Sequence, residues 1–104
     1  MYRRGARMEY KAIEDLRSEG FDAQRVAGSH GPFDIIAWNA STVRLIQVKY
    51  TSDPSRIVAQ RRKALAGWRG HFIPEVEGVT VEIWIRCRGE WAIFRPFARE
   101  EADR

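Results

Sequence analysis

Cysteine and lysine are scarce in this chain of 104 residues, and long apolar segments are missing. Cys87 is the single cysteine, so no internal disulfide can form, and no cluster of cysteine and histidine suggests a structural zinc site. No apolar run approaches the roughly 20 residues that are needed to span a bilayer. The basic first ten residues also lack the apolar core of a secretory signal. These absences predict an intracellular protein without a membrane segment.

Internal repeats, low-complexity tracts and linkers rich in proline or glycine are absent as well. The hydrophobic fraction of 44% and the four tryptophans favour a packed globule over a disordered chain. A chain of this length can build one hydrophobic core but not two. We therefore predict a single domain over residues 1–104, with residues 98–104 as a flexible tail.

Positive charge is abundant, and arginine supplies most of it. Only Lys11, Lys49 and Lys63 are lysines among the 18 basic residues, and the formal net charge is +4. The planar fork of arginine suits bidentate contacts with phosphate, which favours nucleic acid as the partner. An arginine-rich genome would produce the same bias, so composition alone leaves both explanations open.

The hydrophobic patterns predict a mixed α/β domain with one central sheet, in the order αβββαββ. In the first half, the predicted elements are a helix over 6–19, a strand over 22–26, and two strands over about 33–38 and 42–50. In the second half, they are a helix over 53–68, an alternating strand over 78–87 and a short strand over 90–97. Gly20 ends the first helix, and Asp53 with Pro54 begins the second.

Glu9 is a polar residue on the predicted inner face of the first helix. Ala12, Ile13 and Leu16 form the apolar stripe of this helix, and the spacing places Glu9 on the same side. A carboxylate there is costly unless something compensates its charge. The alternative explanation is that Glu9 lies in the first turn, where solvent and the helix dipole favour an acid.

Three further polar residues interrupt the two central strands. Alternation places Gln47 and Lys49 on one face, about 7 Å apart, and the turn at 39–40 brings Asp34 near the level of Gln47. An acid, an amide oxygen and an ammonium group suit phosphodiester hydrolysis, which needs oxygen ligands for a divalent cation and a cationic group near the water. The alternative is an edge strand on which Lys49 prevents aggregation and Gln47 is merely solvated.

The order and spacing of these features resemble the archaeal Holliday junction resolvase family, within the PD-(D/E)XK nuclease superfamily. The resemblance rests on "MYRRGARMEYKAIEDLRSEGFDAQRVAGS", followed by Asp34 and "LIQVK", and covers about the first half of the chain. It implies a restriction-endonuclease-like fold and a metal-dependent endonuclease. Such an enzyme would bind four-way DNA junctions as a homodimer and resolve them by paired symmetric nicks.

By position, the resemblance implies three groups of site residues. A Mg²⁺ or Mn²⁺ ion would be held by Glu9, Asp34, Gln47 and the backbone carbonyl of Val48. Lys49 would position or activate the attacking water, and Ser29 would lie beside the scissile phosphate. The DNA-contacting surface would include Arg3, Arg4, Lys11 and Arg25.

Gln47 departs from the family pattern, which has a carboxylate at this position. An amide keeps the ligating oxygen but removes one negative charge, so we expect weaker metal binding or a preference for Mn²⁺ in an active enzyme. Two other functions stay open. One is a related small nuclease that acts on other structured DNA, and the other is a non-catalytic DNA-binding module with a silenced site.

The second predicted helix carries a cationic surface of its own. Its basic residues are Arg56, Arg61, Arg62 and Lys63, and its predicted apolar side consists of Val58, Leu65 and Trp68. Contacts from this surface would recognise the DNA backbone and its shape. The alternative is an ordinary solvated helix face.

Large apolar residues are also more numerous than we expect for one small core. We therefore predict a self-association surface that includes Trp38, Trp84, Trp91 and Phe97.

Overall fold

The chain forms a five-stranded mixed sheet with one helix on each face. The structure is a computed structural model and describes residues 4–26 and 31–98. The elements are α1 (Arg4–Ser18), β1 (Asp22–Arg25), β2 (Ile35–Trp38), β3 (Val43–Tyr50), a 3₁₀ turn (Pro54–Arg56), α2 (Ile57–Gly67), β4 (Val79–Cys87) and β5 (Glu90–Phe94). This order confirms the predicted αβββαββ arrangement. Most of the predicted tail, residues 99–104, lies outside the described residues.

The strands follow one another across the sheet in chain order, from β1 to β5. All neighbours are antiparallel except β3 and β4, which are parallel because α2 carries the chain back over the sheet. The turn between β2 and β3 is fixed by the Asn39 side chain, whose Oδ1 accepts from the N–H groups of Ser41 at 3.0 Å and Thr42 at 2.9 Å. No helix in the described ranges is long and apolar enough to cross a membrane.

Helix α1 covers one face of the sheet through the stripe that its sequence predicts. Ala12, Ile13 and Leu16 are buried against strand residues that include Ile35 and Ile46. The helix ends as predicted beside Gly20, whose φ of 93° lies in the left-handed region that glycine adopts without steric cost. The buried face of α1 therefore fixes the orientation of every other side chain on this helix, including that of Glu9.

Helix α2 covers the opposite face, and here one part of the prediction is wrong. Val58 was expected on the apolar side, but it is 65% exposed, and the buried residue of the helix is Ala64, which packs against Ile83 and Ile85. Trp68 is buried as predicted and stacks on Phe33 at 6.2 Å between ring centroids. The small side chain of Ala64 lets the helix approach the sheet closely, and Ile57 and Leu65 of the same helix pack against the same cluster.

Strand β4 is buried on both faces, which corrects a second expectation. Trp84, predicted as part of a self-association surface, is 1% exposed and contacts the ring of Trp91 at 5.2 Å. Trp84 therefore belongs to the core between α1 and the sheet. The alternating sequence of β4 suggested that Trp84 is exposed on one side of the strand. Both sides are in fact covered, as is usual for a strand with helices on both faces of the sheet.

A buried ion pair links β3 to β4 on the α1 side. The guanidinium of Arg44 donates two hydrogen bonds of 2.8 Å to the carboxylate of Glu82, and both side chains are buried. Glu82 also accepts from the Thr80 hydroxyl at 2.6 Å and the Trp84 indole at 2.9 Å. Burial by itself would raise the pKa of Glu82, but the bonds from Arg44, Thr80 and Trp84 outweigh it and lower the pKa.

Candidate active site

Three strands bring polar side chains to the same edge of the sheet. Arg25 ends β1, Asp34 precedes β2, and Gln47 lies near the end of β3. The Asp34 N–H donates to the Ile46 carbonyl at 2.8 Å and continues the register in which Ile35 faces Ile46. Asp34 is therefore opposite Gln47, as the hairpin spacing predicted.

The Asp34 carboxylate is largely withdrawn from water and has a backbone partner. Its Oδ2 accepts from the N–H of Val48 at 2.8 Å. Burial raises the pKa of Asp34, and this effect exceeds the opposing contributions of the Val48 N–H and of the charges on Lys49 and Arg25. A negative charge held in a partly dehydrated position at a sheet edge is suited to binding a cation.

Glu9 lies on the inner side of α1, beyond the first turn of the helix, so the helix dipole does not account for it. Its Oε1 accepts from Arg25 Nε at 2.8 Å, and the Glu9 side chain is only 18% exposed. The guanidinium of Arg25 also lies over the ring of Tyr10, 4.9 Å from its centroid. The hydrogen bond that Arg25 donates to Glu9 is the main reason why the pKa of Arg25 is raised. The charge on Glu9 is thus compensated by a strand residue.

The side chain of Gln47 points toward α2, on the opposite face from Glu9. One end of its amide faces two backbone carbonyls, so this end is the nitrogen. It donates to the Pro32 carbonyl at 3.2 Å and to the Ala64 carbonyl at 2.9 Å. Alternation along β3 places Lys49 on the same side as Gln47. The candidate site therefore extends across the sheet edge, from Glu9 and Arg25 on one face to Gln47 and Lys49 on the other.

The oxygen donors along this edge are of the type that a hard divalent cation binds. Within residues 4–26 and 31–98, no three side chains of aspartate, glutamate, histidine or cysteine converge. A metal here would thus combine the carboxylates of Glu9 and Asp34 with neutral oxygens, and an amide and a backbone carbonyl are ordinary ligands for such ions. The partly buried Asp34, whose charge is only partly compensated, supports this fit.

The other predicted site residues are distributed more widely. Arg3 and Ser29 lie outside the described residues, and so does the side chain of Arg4. Lys11 forms ion pairs along α1 with Asp15 at 3.2 Å and Glu14 at 3.7 Å.

The basic residues of α2 differ from one another in their surroundings. Arg61 places its guanidinium over the ring of Phe94 at 4.4 Å, while Arg62 and Lys63 are exposed. Arg62 and Lys63 are thus the members of this group best placed to meet a large ligand.

Sequence reasoning placed Arg25 on a DNA-contacting surface and missed its bond with Glu9. It also missed the partners of Gln47, which are backbone carbonyls and carry no side-chain signal. Gly67 offered the one available clue, since a glycine within a helix that is otherwise well formed often marks a close approach. A Cβ at this position would lie 3.3 Å from the nearer end of the Gln47 amide.

A mixed sheet with a helix on each face, together with an acid, an amide and a lysine at one edge, defines a restriction-endonuclease-like nuclease fold. The chain belongs to the archaeal Holliday junction resolvase family (Hjc), whose sequence profile matches residues 1–104. The family and the fold that the sequence predicted are both confirmed.

A solved structure similar to this chain is that of Hjc from Archaeoglobus fulgidus, described as a Holliday junction resolvase from an archaeal hyperthermophile. The two share 26% sequence identity with a TM-score of 0.61, and the similarity covers 89% of this chain and 73% of the other. A search of curated proteins gave no significant match.

Proposed function

We propose that this protein is a metal-dependent endonuclease that resolves four-way DNA junctions by paired symmetric nicks. The observation that carries the proposal is the placement of Asp34. In a chain of the Holliday junction resolvase family, this carboxylate lies at the sheet edge, close to Lys49 and Arg25, in surroundings that penalise an uncompensated charge. Such surroundings are typical of a catalytic carboxylate and are rarely found for a solvated surface acid.

The proposed cofactor is Mg²⁺ or Mn²⁺, held by Glu9, Asp34, the Gln47 side-chain oxygen and the Val48 carbonyl. When bound, this ion lowers the pKa of a coordinated water and stabilises negative charge on the phosphate oxygens. Because Gln47 contributes no charge, the set has one negative charge fewer than a three-carboxylate set. We therefore propose weaker metal binding than such a set would give, and a preference for Mn²⁺.

The remaining steps belong to residues of the chain. Lys49 supplies an ammonium group beside Asp34, where it orients the attacking water and balances charge that develops at phosphorus. Arg25 pairs with Glu9 and extends its guanidinium toward the same edge, so a DNA phosphate can share this cation. Ser29 precedes Asp34 by a few residues and is proposed to contact the scissile phosphate.

The proposal is tested with an end-labelled four-way junction beside a linear duplex of the same sequence, each with Mg²⁺ and with Mn²⁺. We expect paired nicks at symmetric positions on the junction and none on the duplex. Cleavage of flaps or bulges in preference to junctions would indicate a nuclease for other structured DNA. A junction that is bound but uncut with both metals would indicate a non-catalytic binding module.

We propose that the exposed cations of α2 contribute to the DNA-contacting surface. Replacement of Arg62 and Lys63 together by alanine should weaken junction binding by roughly tenfold and reduce the slope of log K against log salt by about 2. The physical reason is that each lost phosphate contact releases one counterion fewer. Binding titrations at several salt concentrations measure both quantities.

The matched control is Arg17→Ala, which removes an exposed cation near the C-terminal end of α1, on the opposite face of the sheet from α2. The salt slope of Arg17→Ala should equal that of the wild-type protein. An equal decrease in both variants would show that total charge determines binding and that α2 has no particular role.

We also propose that the protein is a homodimer, as two symmetric nicks require two sites. Three exposed apolar residues support this: Phe72, Val76 and Phe97 are 89%, 63% and 43% exposed, and Val76 and Phe97 line the same cleft. Exposed apolar side chains of this size commonly mark an interface. We expect Phe72→Glu to convert a dimer to a monomer in light scattering at micromolar concentration, whereas Val58→Glu, a charge introduced at an exposed residue of α2, should leave the mass unchanged.

A further inference from the structure

The amide of Gln47 joins two parts of the chain that are distant in sequence. Its nitrogen donates to the carbonyl of Pro32, which lies two residues before Asp34, and to the carbonyl of Ala64, in the last turn of α2. We call these two hydrogen bonds the Gln47 bridge. They connect β3 both to the segment that leads into Asp34 and to the helix that covers this face of the sheet.

The Ala64 carbonyl lacks its regular partner within the helix. It is one of the last four carbonyls of α2, which have no regular partner within a helix. The N–H of Trp68, which could have bonded to it, instead contacts the carbonyls of Leu65 and Ala66. Gln47 therefore satisfies a backbone acceptor at the end of the helix, and the helix end is held against β3 by this contact.

A carboxylate at position 47 cannot form the same contacts. An ionised glutamate has only acceptor oxygens, and it would face two carbonyl oxygens at about 3 Å. Glutamine at this position, where the family pattern has a carboxylate, supplies the N–H donors that the bridge uses. The bridge formed by the amide nitrogen thus gives a reason for glutamine at this position, in addition to the proposed role of the amide oxygen as a metal ligand.

We propose that Gln47 is a positioning residue, whose amide nitrogen holds the end of α2 and the segment before Asp34 in the arrangement that catalysis requires. The catalytic part of this inference rests on the proposed function. The structural part does not, because the bridge involves backbone groups of the protein alone.

Gly67 provides an independent observation of the same contact. An added Cβ would lie 3.3 Å from the nearer end of the amide, and 3.6 Å from the farther one. The first distance is tighter than ordinary van der Waals contact, and an amide fixed by two hydrogen bonds has little freedom to move away. A methyl group at position 67 would therefore press on the amide and strain the bridge.

The first test uses the metal-free protein in excess EDTA, so that metal binding has no influence. Gln47→Glu should lower Tm by about 5–10 °C, because two carbonyls lose their donors and face a negative charge. Hydrogen exchange of the amides at residues 64–68 should become about tenfold faster. Gln24→Glu makes the same chemical change at an exposed position in β1 and should alter neither quantity. An unchanged Tm and exchange rate for Gln47→Glu would overturn the bridge.

The second test uses the direction in which Gly67→Ala changes Tm. Gly67 has no positive φ, so alanine at this helical position ordinarily raises stability. With Gln47 present, we expect Gly67→Ala to lower Tm by about 2–5 °C, and in a Gln47→Ala background we expect it to raise Tm. An equal change in both backgrounds would show that the two residues are not coupled.

The third test measures cleavage at a temperature well below the Tm of each variant. Gln47→Glu should cut a junction about 10–100-fold more slowly in single turnover, since small displacements of catalytic groups have effects of this size. Its junction Kd should stay within about twofold of the wild-type value. Faster cleavage by Gln47→Glu, with tighter Mn²⁺ binding in calorimetry, would instead show that Gln47 acts as a metal ligand alone. If the wild-type protein cuts no junction, the proposed function fails, and the two metal-free measurements still decide whether the bridge exists.

Discussion

Asp34→Asn is expected to abolish junction cleavage, by roughly 10³-fold or more, while leaving junction binding intact. The substitution keeps the shape of the side chain and removes the charge that a divalent cation needs. Because folding raises the pKa of Asp34, the ionised carboxylate destabilises the folded protein above the ordinary pKa of aspartate. The variant should therefore have a metal-free Tm at neutral pH that equals or exceeds the wild-type value. If Asp34 is a functional carboxylate, we expect its replacement to cause a loss of activity without a loss of stability.

The measurement combines single-turnover cleavage, a binding titration and thermal unfolding in EDTA. Asp22→Asn is the matched control, since Asp22 is an exposed aspartate at the opposite end of β1 and should retain full cleavage. If Asp34→Asn instead bound junctions poorly and cut each bound junction at the wild-type rate, Asp34 would serve DNA affinity, and its assignment to the catalytic site would be wrong.

The second large effect concerns stability. Arg44→Met should lower the free energy of unfolding by about 3–5 kcal/mol, because the buried charge of Glu82 would lose its hydrogen-bonded partner. The total free energy of unfolding of a small domain is about 5–15 kcal/mol, so Tm should fall by roughly 15–30 °C. Arg95→Met is the control, since Arg95 lies 3.8 Å from the same carboxylate but is half exposed, and its removal should cost less than about 1 kcal/mol.

A double variant tests the cause of this effect. When Glu82→Leu accompanies Arg44→Met, no unpaired charge remains, and much of the lost stability should return. If the double variant were as unstable as Arg44→Met alone, lost packing of the arginine would be the cause.

The pH dependence of this ion pair follows from the lowered pKa of Glu82. Folding favours the ionised carboxylate, so the stabilisation is present above the ordinary pKa of glutamate, 4.5, and is lost as the pH falls through the folded value. In acid, the Tm of the wild-type protein should therefore fall by more than the Tm of the double variant. Thermal unfolding between pH 3 and pH 7 measures this shift.

Local patterns in the sequence were sufficient to predict the elements and the position of Asp34 opposite Gln47. The apolar stripe of α1, the alternation in β2 and β3, and the turn at Asn39 are all determined by residues close together in the chain. Hairpin register depends on turn geometry, and turn geometry depends on a few adjacent residues. For this reason the central part of the candidate site could be placed before the structure was known.

The contacts that were missed all join residues distant in the chain. Glu9 and Arg25 are 16 residues apart, and Arg44 and Glu82 are 38 apart. Opposite charges on two apolar strands were visible in the sequence, but alternation gives only the face of a strand and never the partner of a side chain. The alternating pattern of β4 therefore did not reveal that Glu82 is completely buried and paired with Arg44.

The single parallel pairing, between β3 and β4, has a consequence for the order of folding. The meander of β1, β2 and β3 closes through short turns, whereas β3 and β4 can pair only after the segment of α2 has been spanned. We therefore expect Asp34 and Lys49 to be brought together by contacts that form early, and the bond from Gln47 to Ala64 to form when α2 docks later. The proposed catalytic groups should come together before α2 docks on the sheet. Stabilising α2 should therefore slow unfolding while leaving the folding rate unchanged.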